Sequence, residues 1–149
     1  MQDFMLIAVS EAKKAMSEGN VPVGAVLVID GVLVGVSHNH NNTDKTYNAH
    51  AESTLIAKCA TAIRAAADQG KTILLYTTWE PCIMCFGASV LNRITKIVYA
   101  CPEPWGGTSH LSPTVINKKY AGHWPKVERG LYCIESYSLL YEFMKDNPS

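Results

Sequence analysis

Apolar positions fall along this chain either in helical stripes or in continuous β-branched runs. Over residues 3–18, Phe4, Ile7, Ala8, Ala12, Ala15 and Met16 return every three or four places, while Lys13, Lys14 and Glu18 fall outside that stripe. The spacing predicts an amphipathic helix, with Glu11 on its mostly apolar side. Gly19-Asn20 ends it and Pro22 prevents its return. Residues 23–29 and 32–37 are β-branched runs joined by Asp30-Gly31, a strong hairpin signal. Both runs are apolar on both faces, so the hairpin is expected to lie between helices.

A polar stretch, 38–48, follows and leads into an Ala-rich helix over 49–67 with Leu55, Ile56 and Ile63 toward the core. Gly70 stops it. Residues 71–78 read as a strand, 82–92 as a helix and 94–100 as a further strand. A helix between strands this close implies a parallel crossover. Beyond a loop over 101–110, the pattern predicts a short helix over 111–120 with Ser112-Pro113 at its start. An edge strand over 127–134, a last amphipathic helix over 135–145 and a fraying tail over 146–149 complete it. No repeat or linker interrupts the chain, so 1–149 reads as one domain.

Two stretches carry chemistry. The first is His50-Ala51-Glu52, the second Pro81-Cys82-Ile83-Met84-Cys85. Imidazole and thiolates suit zinc, and three protein ligands leave a fourth tetrahedral position for water. His50, Cys82 and Cys85 are therefore the expected ligands of one zinc ion. Cys82 and Cys85, three apart, share a helix face, with Pro81 as the first helical residue. Asn48 is the expected cap of the preceding helix, which puts Glu52 in its first turn. A carboxylate there, unneeded as a ligand, can move protons between water and a leaving amine. A structural zinc would want a fourth Cys or His, and Cys59, Cys101 and Cys133 are available; none has C-x-x-C spacing. His38 and His40 read as loop residues or neighbours of ligands, and Glu80 as a supporting acid or a surface carboxylate.

The ligand pair falls where a strand ends and a helix begins, the usual place for sites in open α/β sheets. Asn39 is the best candidate for a substrate contact in the polar loop. Trp105, between Pro104 and Gly106, could stack on a substrate ring. The formal net charge is zero, which offers no broad basic field for nucleic acid. Five cysteines, two of them committed to metal, argue against a disulfide framework. With no apolar run long enough to span a bilayer, the expectation is a cytoplasmic protein with no membrane role.

These motifs resemble the cytidine and deoxycytidylate deaminase superfamily, in the branch with bacterial tRNA adenosine deaminases, guanine deaminases and fungal-type cytosine deaminases. The likeness covers nearly the whole length and includes Pro22-Val23-Gly24-Ala25-Val26-Leu27-Val28, Asn39, Ala49-His50-Ala51-Glu52 and Glu80-Pro81-Cys82-Ile83-Met84-Cys85-Phe86-Gly87-Ala88. It implies a three-layer α/β/α fold around a mixed five-stranded sheet. It implies one zinc per chain on His50, Cys82 and Cys85, with Glu52 as catalytic proton shuttle. Substrate contacts are expected from Asn39, from the backbone around Ala51 and from Trp105, in a homodimer. The chain departs from the tRNA enzymes at Tyr47-Asn48, where they usually carry Pro-Thr, and at Cys101-Pro102-Glu103-Pro104-Trp105. Its C-terminal helix has only Lys145 near the end. With the neutral charge, these departures favour hydrolytic deamination of a free guanine- or cytosine-like base or related amino-heterocycle. Wobble-adenosine deamination on tRNA is the alternative, and a nucleoside substrate a further one.

Overall fold

The computed structural model describes residues 2–105 and 107–147. Helix α1 (Phe4–Ser17) starts at Asp3, whose side chain accepts from the Leu6 N–H, and Gly19 follows it with φ +83°. Strands β1 (Gly24–Ile29) and β2 (Val32–His38) pair antiparallel across a two-residue turn. Asp30 and Gly31 both have positive φ, 47° and 81°, as the tight primed turn of a twisted hairpin requires. A short helix, α2 (Asn41–Asp44), occupies the polar loop and is followed by α3 (Ala51–Lys58) and α4 (Ala60–Asp68). The remaining elements are β3 (Ile73–Trp79), α5 (Ile83–Leu91), β4 (Lys96–Cys101), a 3-10 turn at Pro113–Val115, α6 (Lys118–Ala121), β5 (Lys126–Arg129) and α7 (Cys133–Asp146).

The five strands form one sheet in the order β2-β1-β3-β4-β5. β1 runs against both neighbours, whereas β3, β4 and β5 are parallel. This is the mixed three-layer α/β/α architecture expected. Alternation along β1 shows why it is buried on both faces. Ala25 and Leu27 join the core under α3, α4 and α5, with Leu55, Ile63, Leu75 and Phe86. Val26 and Val28 face the other way, onto Met5 and Ala8 of α1. Helix α7 lies beside α1 on that second face.

Several elements differ from the sequence pattern. The hairpin is sandwiched only in part: β2 is the sheet edge and leaves Val32 and Val34 exposed. The 49–67 helix is two helices, because Cys59 between α3 and α4 has φ −101° and ψ 13°. The 111–120 helix is a 3-10 turn capped by Ser112 and a separate turn of helix capped by Asn117. The edge strand is shorter, and Cys133 and Ile134 belong to α7 rather than to it. Part of the tail expected to fray, Pro148 and Ser149, lies outside the described residues. Among the described residues no helix is long and apolar enough to cross a membrane.

Candidate active site

Two helices and one strand end meet at the site. His50 is the residue before α3 and Cys82 the residue before α5, both in extended backbone, so each occupies an N-cap position. Asn48 and Pro81 are thus two residues too early for the roles the sequence suggested, cap and first helical residue. Neither cap residue uses its side chain to cap its own helix. Both side chains are free to face one another. Cys85, one turn into α5, is buried beside them.

His50 Nδ1 lies 3.5 Å from Cys82 Sγ and 3.6 Å from Cys85 Sγ. A zinc bound tetrahedrally at ~2.05 Å to nitrogen and ~2.3 Å to sulfur would hold these atoms about 3.6 Å apart. The donor set therefore has the spacing of a zinc site. No fourth His or Cys joins it among the described residues. Cys59 is buried in the core, and Cys133 Sγ sits 2.8 Å from Cys101 Sγ. A closed four-ligand structural site is not what this geometry makes.

The metal-free electrostatics suit a thiolate site. A hydrogen bond from Cys85, aided by the His50 ring, brings the Cys82 thiol down to about 3. Its thiolate pushes the Cys85 thiol up, as does burial. The pair keeps one proton until a metal displaces it. Contact with Cys82 also raises His50, against the opposing effect of burial.

Glu52, on the first turn of α3, is buried. Burial pushes its carboxyl up, while its own backbone N–H and the Thr77 hydroxyl, 2.9 Å from Oε1, hold it down. A carboxyl so raised holds a proton more readily, which suits a group that must accept one and return it.

A cavity of about 290 Å³ opens onto these groups, walled in part by Asn39, His50, Ala51, Glu52, Trp79 and Trp105. The structure thus brings Asn39, Ala51 and Trp105 to the same cavity as Glu52. Asn39 is buried, its Oδ1 accepting from the Asn41 N–H at 3.0 Å, which leaves its amide NH2 for a ligand. Trp105 is 73% exposed at the rim. His38 and His40 flank Asn39 and stack on each other, ring centroids 4.4 Å apart. They do not join the His50 group.

Four features escaped the sequence reading. Leu140 of α7 reaches the cavity wall from the far end of the chain. Trp79 also lines it, its buried indole N–H without an acceptor among the described residues. Asn41 Oδ1 accepts from the Ala49 N–H at 2.8 Å and ties down the approach to His50. Glu80 is buried rather than a surface acid and lines the same cavity as Glu52. Its carboxylate accepts from the Glu103 N–H at 3.0 Å and the Ser109 N–H at 2.7 Å, clasping the loop that carries Trp105. The density of Asn in 38–48 was a signal for Asn41; nothing local marked Leu140.

An α/β/α sheet with a His-Cys-Cys donor set and a buried free carboxylate at the end of its central parallel strand defines the class of zinc-dependent deaminases. The family profile described as the cytidine and deoxycytidylate deaminase zinc-binding region matches residues 1–101, and the chain belongs to that family. It is a zinc-dependent hydrolase acting on C–N bonds. The tRNA-specific adenosine deaminase of Bacillus subtilis (strain 168) is 37% identical over 143 residues, covering 96% of this chain and 88% of that protein. The tRNA-specific adenosine deaminase of Aquifex aeolicus (strain VF5) is 35% identical over 95% of this chain and 92% of that protein. A solved structure from work on A-to-I editing by tRNA:A34 deaminases at the wobble position of transfer RNA superposes with TM-score 0.70 at 34% identity. It covers 92% of this chain and 98% of that one.

These relatives overturn the free-nucleobase expectation. Two arguments had carried it. One was neutral net charge, but a whole-chain sum averages over surface that an RNA never touches. The other was a set of departures, at Tyr47-Asn48, at Cys101–Trp105 and in a C-terminal helix with only Lys145 near its end. Apart from Cys101, which ends β4, the first two stretches lie outside the regular strands and long helices, where sequence varies most readily on a constant scaffold. The full-length similarity outweighs both.

Proposed function

We propose that this chain converts adenosine to inosine at the wobble position of tRNA. Similarity over nearly the whole chain to a curated tRNA-specific adenosine deaminase carries the reading. The cavity adds support: it is large enough for one base turned out of an RNA loop, and Trp105 at its rim offers a stacking face. Tyr47, 91% exposed and three residues before His50, offers another.

In this reading His50, Cys82 and Cys85 hold the zinc. When bound, zinc supplies a water acidic enough to act as nucleophile at neutral pH. Glu52 would take a proton from the attacking water and deliver it to N1 of adenine as the water oxygen bonds to C6. A second transfer through Glu52 lets the amine leave, so adenosine and water become inosine and ammonia. Asn39 orients the base through its free amide, and Thr77 holds the Glu52 carboxylate in register. Glu80 keeps the Trp105 loop over the rim.

The reading takes residues 1–149 as one deaminase domain working in the cytoplasm. It extends to a homodimer, supported by the apolar side chains of Ile83, Met84 and Leu91 that α5 leaves exposed. Light scattering on the eluted protein tests the dimer; a monomer at all concentrations rejects it.

Binding tests the substrate class. An inactive Glu52→Gln variant should bind a tRNA anticodon stem-loop with log K falling linearly as log salt rises, because phosphate contacts release counterions. Absence of salt-dependent binding would reject an RNA substrate.

A further inference from the structure

We propose that Glu18, His38 and His40 form a second divalent-cation site, for ions of the zinc class, where the end of α1 meets the end of β2. The donor atoms of these three residues lie within 4.8 Å of one another and form a group separate from His50, Cys82 and Cys85.

The hydrogen bonds around the two imidazoles carry the argument. His38 Nδ1 is 3.2 Å from Oε1 of the buried Glu11, itself held by Lys14 Nζ at 2.8 Å. His40 Nδ1 is 2.7 Å from the His38 carbonyl oxygen. Each Nδ1 faces an acceptor and donates to it; that leaves His40 Nε2 with a lone pair, whereas His38 Nε2, which faces Glu18 Oε2, offers one when an incoming cation displaces any proton between them. This is the arrangement found behind metal-bound histidines: a carboxylate or a carbonyl fixes the tautomer and turns the other nitrogen outward. The rings stack, 4.4 Å apart and 22° from parallel, so they are presented side by side. Glu18 Oε2 already stands 3.1 Å from His38 Nε2. Two imidazoles and one carboxylate, without sulfur, suit zinc, cobalt and related imidazole-binding cations. Bonds of ~2.0–2.1 Å to each donor require the three atoms to draw together. Glu18, whose side chain is 45% exposed, is the arm free to close.

The site would sit one residue either side of Asn39. A bound cation would tie the end of α1 to the strand end that presents Asn39 to the cavity. The competing structure for the same residues is an imidazolium of His38 bridging Glu11 and Glu18, which needs no metal.

Cobalt titration of chelator-stripped protein separates the two. The Cys82 and Cys85 thiolates give bound cobalt an intense charge-transfer band; a site of nitrogen and oxygen donors gives none. Wild type should take up two equivalents, the second without further thiolate absorption and with a rise in Tm. His40→Ala and Glu18→Gln should each stop at one equivalent and keep the thiolate band, which also reports that they fold. Glu11→Gln should weaken the second equivalent about 10–100-fold. Saturation of the wild type at one equivalent overturns the proposal. So does a second equivalent that persists in both His40→Ala and Glu18→Gln.

Discussion

The Thr77 hydroxyl donates to Glu52 Oε1 at 2.9 Å, joining the middle of β3 to the first turn of α3 inside the protein. Both residues are buried, so no solvent replaces the bond if it is lost. Burial raises the Glu52 carboxyl, and this hydroxyl opposes that rise by stabilising the charged form. Thr77→Val keeps the shape and removes the donor. Expected results are a kcat lower by about tenfold or more, an acid limb of the pH–rate profile displaced upward, and unchanged zinc content. The sign follows because a base must be ionised to act, and loss of a donor to the carboxylate raises its pKa. A lower kcat with an unmoved limb would limit Thr77 to packing.

Glu52→Gln should cost at least about a hundredfold in kcat and leave zinc in place, since the carboxylate is proposed to move protons and not to bind metal. Rate assays paired with metal analysis check both halves. Zinc lost in step with activity would make Glu52 a ligand.

Cys82→Ser should lose zinc and stability together, because binding free energy at such a site is also folding free energy. A strong chelator should likewise lower the Tm of the wild type, and lower that of the variant by much less. Equal zinc content in the two proteins would contradict the ligand set.

Glu80→Gln exchanges one carboxylate oxygen for an amide nitrogen that cannot accept from an N–H. Burial raises Glu80, but the bonds from Ser109 and Glu103 outweigh it and hold the carboxyl below its ordinary value. The folded state thus favours the ionised form. That stability is complete above the unfolded pKa and is lost as pH falls through the lower, folded one. The variant should lose about 1–3 kcal/mol at neutral pH, with the difference from wild type closing in strong acid. KM should rise more than kcat falls, as the Trp105 loop loosens. Urea melts across pH and steady-state kinetics decide this.

Gly24→Ala probes the scaffold rather than the chemistry. A Cβ there would stand 2.0 Å from the Ala8 carbonyl oxygen and 2.6 Å from the Ala12 nitrogen, both helix backbone that cannot turn aside. β1 and α1 would have to separate, at a cost of about 3 kcal/mol or more. A Tm within a degree or two of wild type would refute this packing.

What was legible in the sequence was whatever rests on local pattern. The helical period gave α1 and α7, apolar β-branched runs gave β1 and β3, the Cys82–Cys85 spacing gave α5, and the Asp30-Gly31 turn fixed the hairpin. The donor groups were legible because metal chemistry restricts residue type and spacing at once. His50, Cys82 and Cys85 could be named together before any fold was known. Features set by distant parts of the chain were not legible. Leu140 reaches the cavity only because α7 lies across the sheet, and β2 is an edge only because no later strand pairs beyond it. Glu80 earned two readings from its neighbours in sequence, yet its partners, Glu103 and Ser109, are more than twenty residues away. Substrate choice failed for the same reason. It depends on loop shape and local surface, and a net charge of zero describes neither.

The most direct test is one turnover panel with zinc-loaded protein. It sets a tRNA anticodon stem-loop bearing adenosine at the wobble position beside free guanine, cytosine and adenine, with Glu52→Gln as the blank. Inosine in the RNA with matching ammonia, absent in the blank, and silence on the free bases is the predicted result. Ammonia from a free base with the RNA adenosine untouched would contradict the account.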